Sequence, residues 1–119
     1  MRHHTKLRAF ELADALAVAV YECTRGFPRD ERFALTSQLR RAAVSVASNV
    51  VEGCARATHK DYVHFLGMAY GSARELEYQL SLARRLGYVS MEDHAQVGAQ
   101  ASETCRVLGG LLRSLRTPR

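Results

Sequence analysis

Residues 30–56, DERFALTSQLRRAAVSVASNVVEGCAR, decide how this chain folds. At ~100° per residue, Leu35, Leu39, Ala42, Ala43, Val46 and Val50 collect on one side of a helix. Arg41, Ser45, Ser48, Asn49, Glu52 and Arg56 collect on the other. The first side is a core stripe. The second is unusual for a solvated face, because Ser45, Ser48 and Asn49 stand where Lys, Glu or Gln would ordinarily serve helix propensity better. Short polar side chains let another backbone come close and still offer hydrogen bonds. This face is therefore expected to meet another helix, that of a second subunit.

Upstream, the pattern predicts a first helix over residues 6–25, with Phe10, Ala13, Ala17, Val20 and Thr24 as its stripe and Leu16 and Tyr21 widening it. Gly26 is expected at the C′ position, and Pro28 cannot continue a helix. Asp30 then reads as the N-cap of a second helix over 30–56, with Phe27 packed beneath the turn. Downstream, Thr58 or His59 opens a third helix over 59–86, with Asp61 favourably placed in its first turn. Tyr62, Leu66, Ala69, Ala73, Leu76, Leu80 and Ala83 repeat at alternating four- and three-residue steps, the seam of an antiparallel bundle. Gly67, Gly71, Arg74, Tyr78, Leu82 and Arg85 form the opposite stripe. Two helical glycines cost about 1 kcal/mol each against alanine, so a closely approaching helix is the expected compensation. Gly87 ends that helix, and Ser90 with Asp93 three residues on falls just short of a capping box for a fourth over 90–115. Its stripe reads Met91, Ala95, Gly98, Ala101, Cys105, Leu108, Leu112 and Leu115, and residues 117–119 are expected to fray.

Four helices, short connections and no strand signal predict an all-α, antiparallel up-down-up-down four-helix bundle, one domain over residues 1–119. A chain of 119 residues, 47% hydrophobic with only two prolines, buries a real core without metal or disulfide support. No apolar run approaches the ~20 residues of a membrane span, and Glu11 and Asp14 interrupt what a secretory signal would require. Cys23, Cys54 and Cys105 are odd in number and lie on or beside apolar stripes, so buried, reduced thiols in a cytoplasmic protein are expected.

The net charge is +5 and the pI about 9.5. Arg2, Lys6 and Arg8 crowd one end, Arg106, Arg113, Arg116 and Arg119 the other, and no acid follows Glu103. Arg40 with Arg41, and Arg84 with Arg85, are adjacent pairs. Such a balance favours polyanionic partners, RNA or DNA above all, although a basic domain with cationic ends fits the charge equally well. With no base-reading motif, contact is expected at phosphates, through Arg40, Arg84, Arg85, Arg106, Arg113 and Arg116. The competing expectation for Arg41 and Arg74 is that they pair with Glu52, Glu75 or Glu77 across helices.

Other chemistry finds little footing. A di-metal carboxylate centre needs Glu-x-x-His pairs, and the chain has none. His59 and His64 are five apart, off a common face, so neither a metal nor a cofactor is expected. No cysteine has a histidine at helical contact spacing, Glu75 and Glu77 diverge, and Gly67 and Gly71 do not follow a strand as a phosphate loop would. The chain is not expected to be an enzyme.

Three blocks carry a resemblance. Gln38 to Ala42 read Q-L-R-R-A, Ser48 to Gly53 read S-N-x-x-E-G, and Gly71 to Glu77 read G-S-x-x-E-L-E, with F-P-x-x-E ahead of them at Phe27 to Glu31. In this order and spacing the chain resembles bacterial four-helix-bundle proteins first noticed as reading frames inside intervening sequences of large-subunit ribosomal RNA genes. That family is similar to the accessory variability protein of diversity-generating retroelements, a pentameric basic bundle that binds nucleic acid and a reverse transcriptase. Where the family often has Pro, this chain has Ala47, which should straighten the second helix.

The resemblance implies a homo-oligomeric ring, a pentamer, and no established reaction. Together with the two unusual faces it points to a subunit interface through Arg41, Ser45, Ser48, Asn49 and Glu52 on the second helix and Gly67, Gly71, Arg74 and Tyr78 on the third. The expectation is a non-enzymatic scaffold or adaptor associating with nucleic acid. The alternative is a protein-interaction module that never touches nucleic acid. A distant third is an enzyme whose site forms between subunits from Arg41, Asn49 and Glu52.

Overall fold

A computed structural model describes residues 2–116. Four α-helices make the structure: α1 Arg8–Thr24, α2 Leu35–Cys54, α3 His59–Arg85 and α4 Met91–Arg116, with short 3-10 turns at His4–Lys6 and Arg29–Glu31. Each helix packs on its neighbours in sequence, α1 and α4 close the square, and the diagonal pairs do not approach. The result is a bundle of 48 × 22 × 19 Å.

The core shows the antiparallel order directly. One cluster joins the C-terminal half of α1 (Leu16, Val20) to the N-terminal half of α2 (Leu35, Leu39), the C-terminal half of α3 (Leu76, Leu80) and the start of α4 (Val97). The other joins Ala13, Val50, Leu66 and Leu108 at the opposite end. Consecutive helices must therefore run in opposite directions.

The termini follow local chemistry. Thr58 Oγ1 accepts the Asp61 N–H at 3.1 Å to cap α3, and Ser90 Oγ accepts the Asp93 N–H at 3.0 Å to cap α4. At the far end of α3, Gly87 has φ +79°. Tyr88 N–H donates to Ala83 O and Gly87 N–H to Arg84 O, the two bonds of a Schellman turn.

Several expectations need correction. Asp30 does not cap α2; it lies in the 3-10 turn, and the helix starts five residues later. Glu31 Oε1 takes the first amide, Leu35 N–H, at 3.3 Å. Phe27 is buried beneath the turn as expected and packs its ring on Tyr88, 5.6 Å between centroids. Gly26 has no left-handed conformation, because α1 closes instead through a tightened last turn, Phe27 N–H to Thr24 O. The buried stripe of α1 is Ala9, Ala13, Leu16, Val20 and Thr24, and Tyr21 is exposed. On α4, Met91 is 74% exposed and the core side begins at Val97. Every residue expected in the α3 seam is buried. Residues 117–119 lie outside the described structure.

Candidate functional site

The unusual face of α2 forms a groove against α3. Its volume is about 500 Å³, and it is lined on the α2 side by Ser37, Gln38, Arg41 and Ser45 and on the α3 side by Ser72, Glu75 and Gln79. Ser45 Oγ and Ser72 Oγ are 2.9 Å apart. Asn49 Nδ2 donates to Ser45 O at 2.9 Å and to Ser45 Oγ at 3.0 Å. Of the short polar residues of α2, Ser45 thus meets α3 of its own bundle, and Asn49 is tied to Ser45. Two of the three motif blocks converge here, Gln38 and Arg41 from one and Ser72 and Glu75 from another.

Gln79 is the chemically unsettled member. It is 6% exposed, yet its Oε1 has no hydrogen-bond partner. A buried amide oxygen without a donor costs about 1–3 kcal/mol, and here it belongs to a residue lining a polar groove. Beside the groove Phe33 is 89% exposed. Arg41 forms no ion pair among the described residues, which corrects the cross-helix pairing expected of it. Ser48 and Glu52 stand outside the groove, both exposed, with Glu52 paired to Arg56 one turn on.

The α3 candidates part company. Gly53, not Gly67 or Gly71, is the glycine at a close helix approach within the bundle. A Cβ on Gly53 would lie 3.1 Å from Phe65 Cβ and 3.3 Å from Tyr62 O. One on Gly67 would meet only the end of Arg116, and one on Gly71 would meet nothing. Tyr78 points outward, 61% exposed. Arg74 pairs with Glu77 on its own helix at 3.4 Å, not across helices.

The expected phosphate-contacting arginines fall in three places. Arg106 and Arg113 of α4 line a cleft with Arg74 and Tyr70, and Arg116 lies over Gly67 on the same side. Arg84 and Arg85 are exposed at the end of α3, where Arg85 Nε donates to Ser81 O at 3.3 Å. Arg40 is half-buried: its Nε donates to Thr24 Oγ1 at 2.8 Å and its guanidinium stacks on Tyr21. Arg40 therefore belongs to the packing between α1 and α2 and not to an open basic face.

Cys54 and Cys105 are buried, Cys23 is half-buried, and all three are free thiols. Burial, followed by the adjoining Glu77 carboxylate, pushes the Cys105 thiol up to about 12. Burial raises Cys23 and Cys54 as well. Among the described residues no three His, Cys, Asp or Glu side chains converge as a metal would need, and no helix is long and apolar enough to cross a membrane.

Ser72 enters the sequence reading only as part of a motif block, without a site role, and Gln79 does not enter it. Ser72 had a signal, since it lies in the G-S-x-x-E-L-E block. Gln79 had a weaker one: an amide beside the Leu76–Leu80 step of the seam, where a solvated helix would turn it outward.

The model of the family described as 23S rRNA-intervening sequence protein matches residues 5–110. A solved structure similar to this one is a protein of unknown function from the S23 ribosomal protein family of Bacteroides thetaiotaomicron. It is 21% identical, with a TM-score of 0.81 over 88% of this chain and 95% of that one. At that identity the likeness shows the fold. No curated protein matches.

Proposed function

The chain belongs to the 23S rRNA-intervening sequence protein family, and from that premise we propose that it is a non-enzymatic, homo-oligomeric scaffold that holds nucleic acid on its arginine-rich surface. The observation that carries this reading is the α2–α3 groove, where two motif blocks meet around a buried amide oxygen with no partner. A donor from a neighbouring subunit would satisfy Gln79 Oε1, and a carboxylate there would pair with Arg41. The ring, a pentamer by the resemblance described above, repeats one heterologous contact around an axis.

Nucleic acid follows from charge. Arg84, Arg85, Arg106 and Arg116 have no ion-pair partner among the described residues, so their charge is available to phosphates. A scaffold is favoured over a catalyst because the groove brings together hydroxyls, amides, a guanidinium and the single carboxylate of Glu75, with no histidine or thiol beside them. The thiols are held in their unreactive protonated form.

Molar mass in solution and binding of RNA and DNA at increasing salt test the proposal together. The expected result is a multiple of the protomer mass, with log affinity falling linearly against log salt and little sequence preference. A protomer mass at every concentration, or binding indifferent to salt, would overturn it. A second reading, a protein-interaction module without nucleic acid, is favoured by Phe33, an outward aromatic of the kind that anchors protein interfaces. A co-purifying protein at fixed stoichiometry, with no nucleic acid bound, would select it.

A further inference from the structure

The corner where α1 hands over to α2 holds a second cavity, of about 250 Å³, and its lining is of one sign. Arg25, Arg29, Arg32 and Arg40 line it together with Thr24 and Thr36, and no carboxylate does. We propose that this corner is a phosphate-binding pocket.

Lining one small space with four arginines is electrostatically unfavourable unless an anion joins them. Arg25, Arg29 and Arg32 have no ion-pair partner among the described residues. Neither acid of the same turn, Asp30 or Glu31, lines the cavity, and Glu31 is turned to other work. Glu31 takes Leu35 N–H on one oxygen and Tyr88 O–H, at 2.7 Å, on the other. Arg40 is fixed in place by Thr24 Oγ1 at 2.8 Å and by the Tyr21 ring, so at least one of the four is already positioned.

An independent observation points to the same ligand. Thr36 is 7% exposed and its Oγ1 has no hydrogen-bond partner. A threonine in a helix commonly donates back to its own turn, as Thr24 does to Val20 O and Thr104 to Gln100 O. Thr36 does not, and it lies in the first turn of α2, the positive end of a 20-residue helix. A hydroxyl left free at a helix N-terminus among guanidinium forks suits an anion with several acceptor oxygens at different angles. Phosphate meets that description, and planar carboxylates meet it less fully. The space exceeds what a bare phosphate fills, so the group enters either as free phosphate or as the terminal phosphate of a strand.

The pocket's chemistry does not rest on the scaffold reading, and the test separates the two. Inorganic phosphate is titrated calorimetrically into the full chain at constant ionic strength set with chloride. Saturable binding at one site per chain is expected. Arg29→Ala with Arg32→Ala should weaken it by about tenfold or more, whereas Lys6→Ala with Lys60→Ala, both exposed and outside the pocket, should leave it unchanged. Thr36→Val should weaken phosphate binding while raising the thermal midpoint of the phosphate-free protein, because it deletes an unpartnered buried hydroxyl. A hydroxyl with only a structural role would not give that opposed pair of effects. Absence of saturable phosphate binding by the wild type, or wild-type binding by the double arginine variant with its helicity intact, would overturn the proposal. An oligonucleotide ending in phosphate, compared with the same strand ending in hydroxyl, identifies the source. A preference that disappears in the double variant assigns the pocket to strand ends, and no preference alongside inorganic phosphate binding assigns it to the free ion. Salt-sensitive strand binding can fail while this site stands, and the reverse.

Discussion

Cys105 shows how a residue that looks reactive is made inert by its surroundings. Its thiol is buried beside Glu77, and both circumstances disfavour the thiolate, which puts its pKa near 12 against an ordinary 9.0. The sign of the consequence follows. Below the ordinary value the thiol is protonated whether the chain is folded or not, and pH has no effect through it. Between that value and about 12 the unfolded chain loses the proton and the folded chain keeps it, so stability falls as pH rises. From pH ~8 to ~10, wild type should lose about 1 kcal/mol more stability than Cys105→Ala, measured by denaturant unfolding at each pH. Equal losses in the two proteins would show that the thiol titrates normally. That Cys105 is buried was legible in its stripe. That Glu77 lies against it was not, because the neighbour comes from another helix.

At the scale of elements, the junction of α2 with α3 is set by Gly53. The atoms that a Cβ would meet are Phe65 Cβ and the Tyr62 carbonyl, neither the end of a flexible side chain. Gly53→Ala should therefore destabilise by about 1–3 kcal/mol, despite a helix-propensity gain of about 1 kcal/mol. Gly71→Ala meets nothing within the bundle. In dilute, dissociated protein it should stabilise by about 0.5–1 kcal/mol. Denaturant midpoints of the two variants make the comparison, and a stabilised Gly53→Ala would refute the close approach. The reading of elements failed where apolar residues were too many or too small to choose a face. In α1, ALAVAV is apolar nearly all round, so the larger Leu16 and Val20 set the rotation. At the start of α4, Ala95 offered little to bury and Val97 offered more, so the core side moved.

The whole molecule leaves one face unexplained by its own packing. Gly71 and Tyr78 are outward, and the groove beside Ser72 retains an unpartnered amide oxygen. If these surfaces join subunits, Gly71→Leu should clash and Asn49→Lys should bury an unpaired charge, each lowering the assembled mass to that of a protomer while helicity is kept. Light scattering alongside far-ultraviolet circular dichroism reads both. If both variants keep the wild-type mass, the interface lies elsewhere on the bundle.

By itself the sequence determined the four α-helices, the α3 seam and the helix ends at Ser90 and Gly87. Each is a local matter: a helix repeats its own face every few residues, and a cap is decided within one turn. Only the tertiary structure decided that Arg41, Ser45, Ser72 and Gln79 share a groove, and that Arg25, Arg29, Arg32 and Arg40 share a corner. Neighbours across helices depend on each helix's rotation and axial shift. Those are set by how unequal side chains interlock in the core, which no single helix pattern contains.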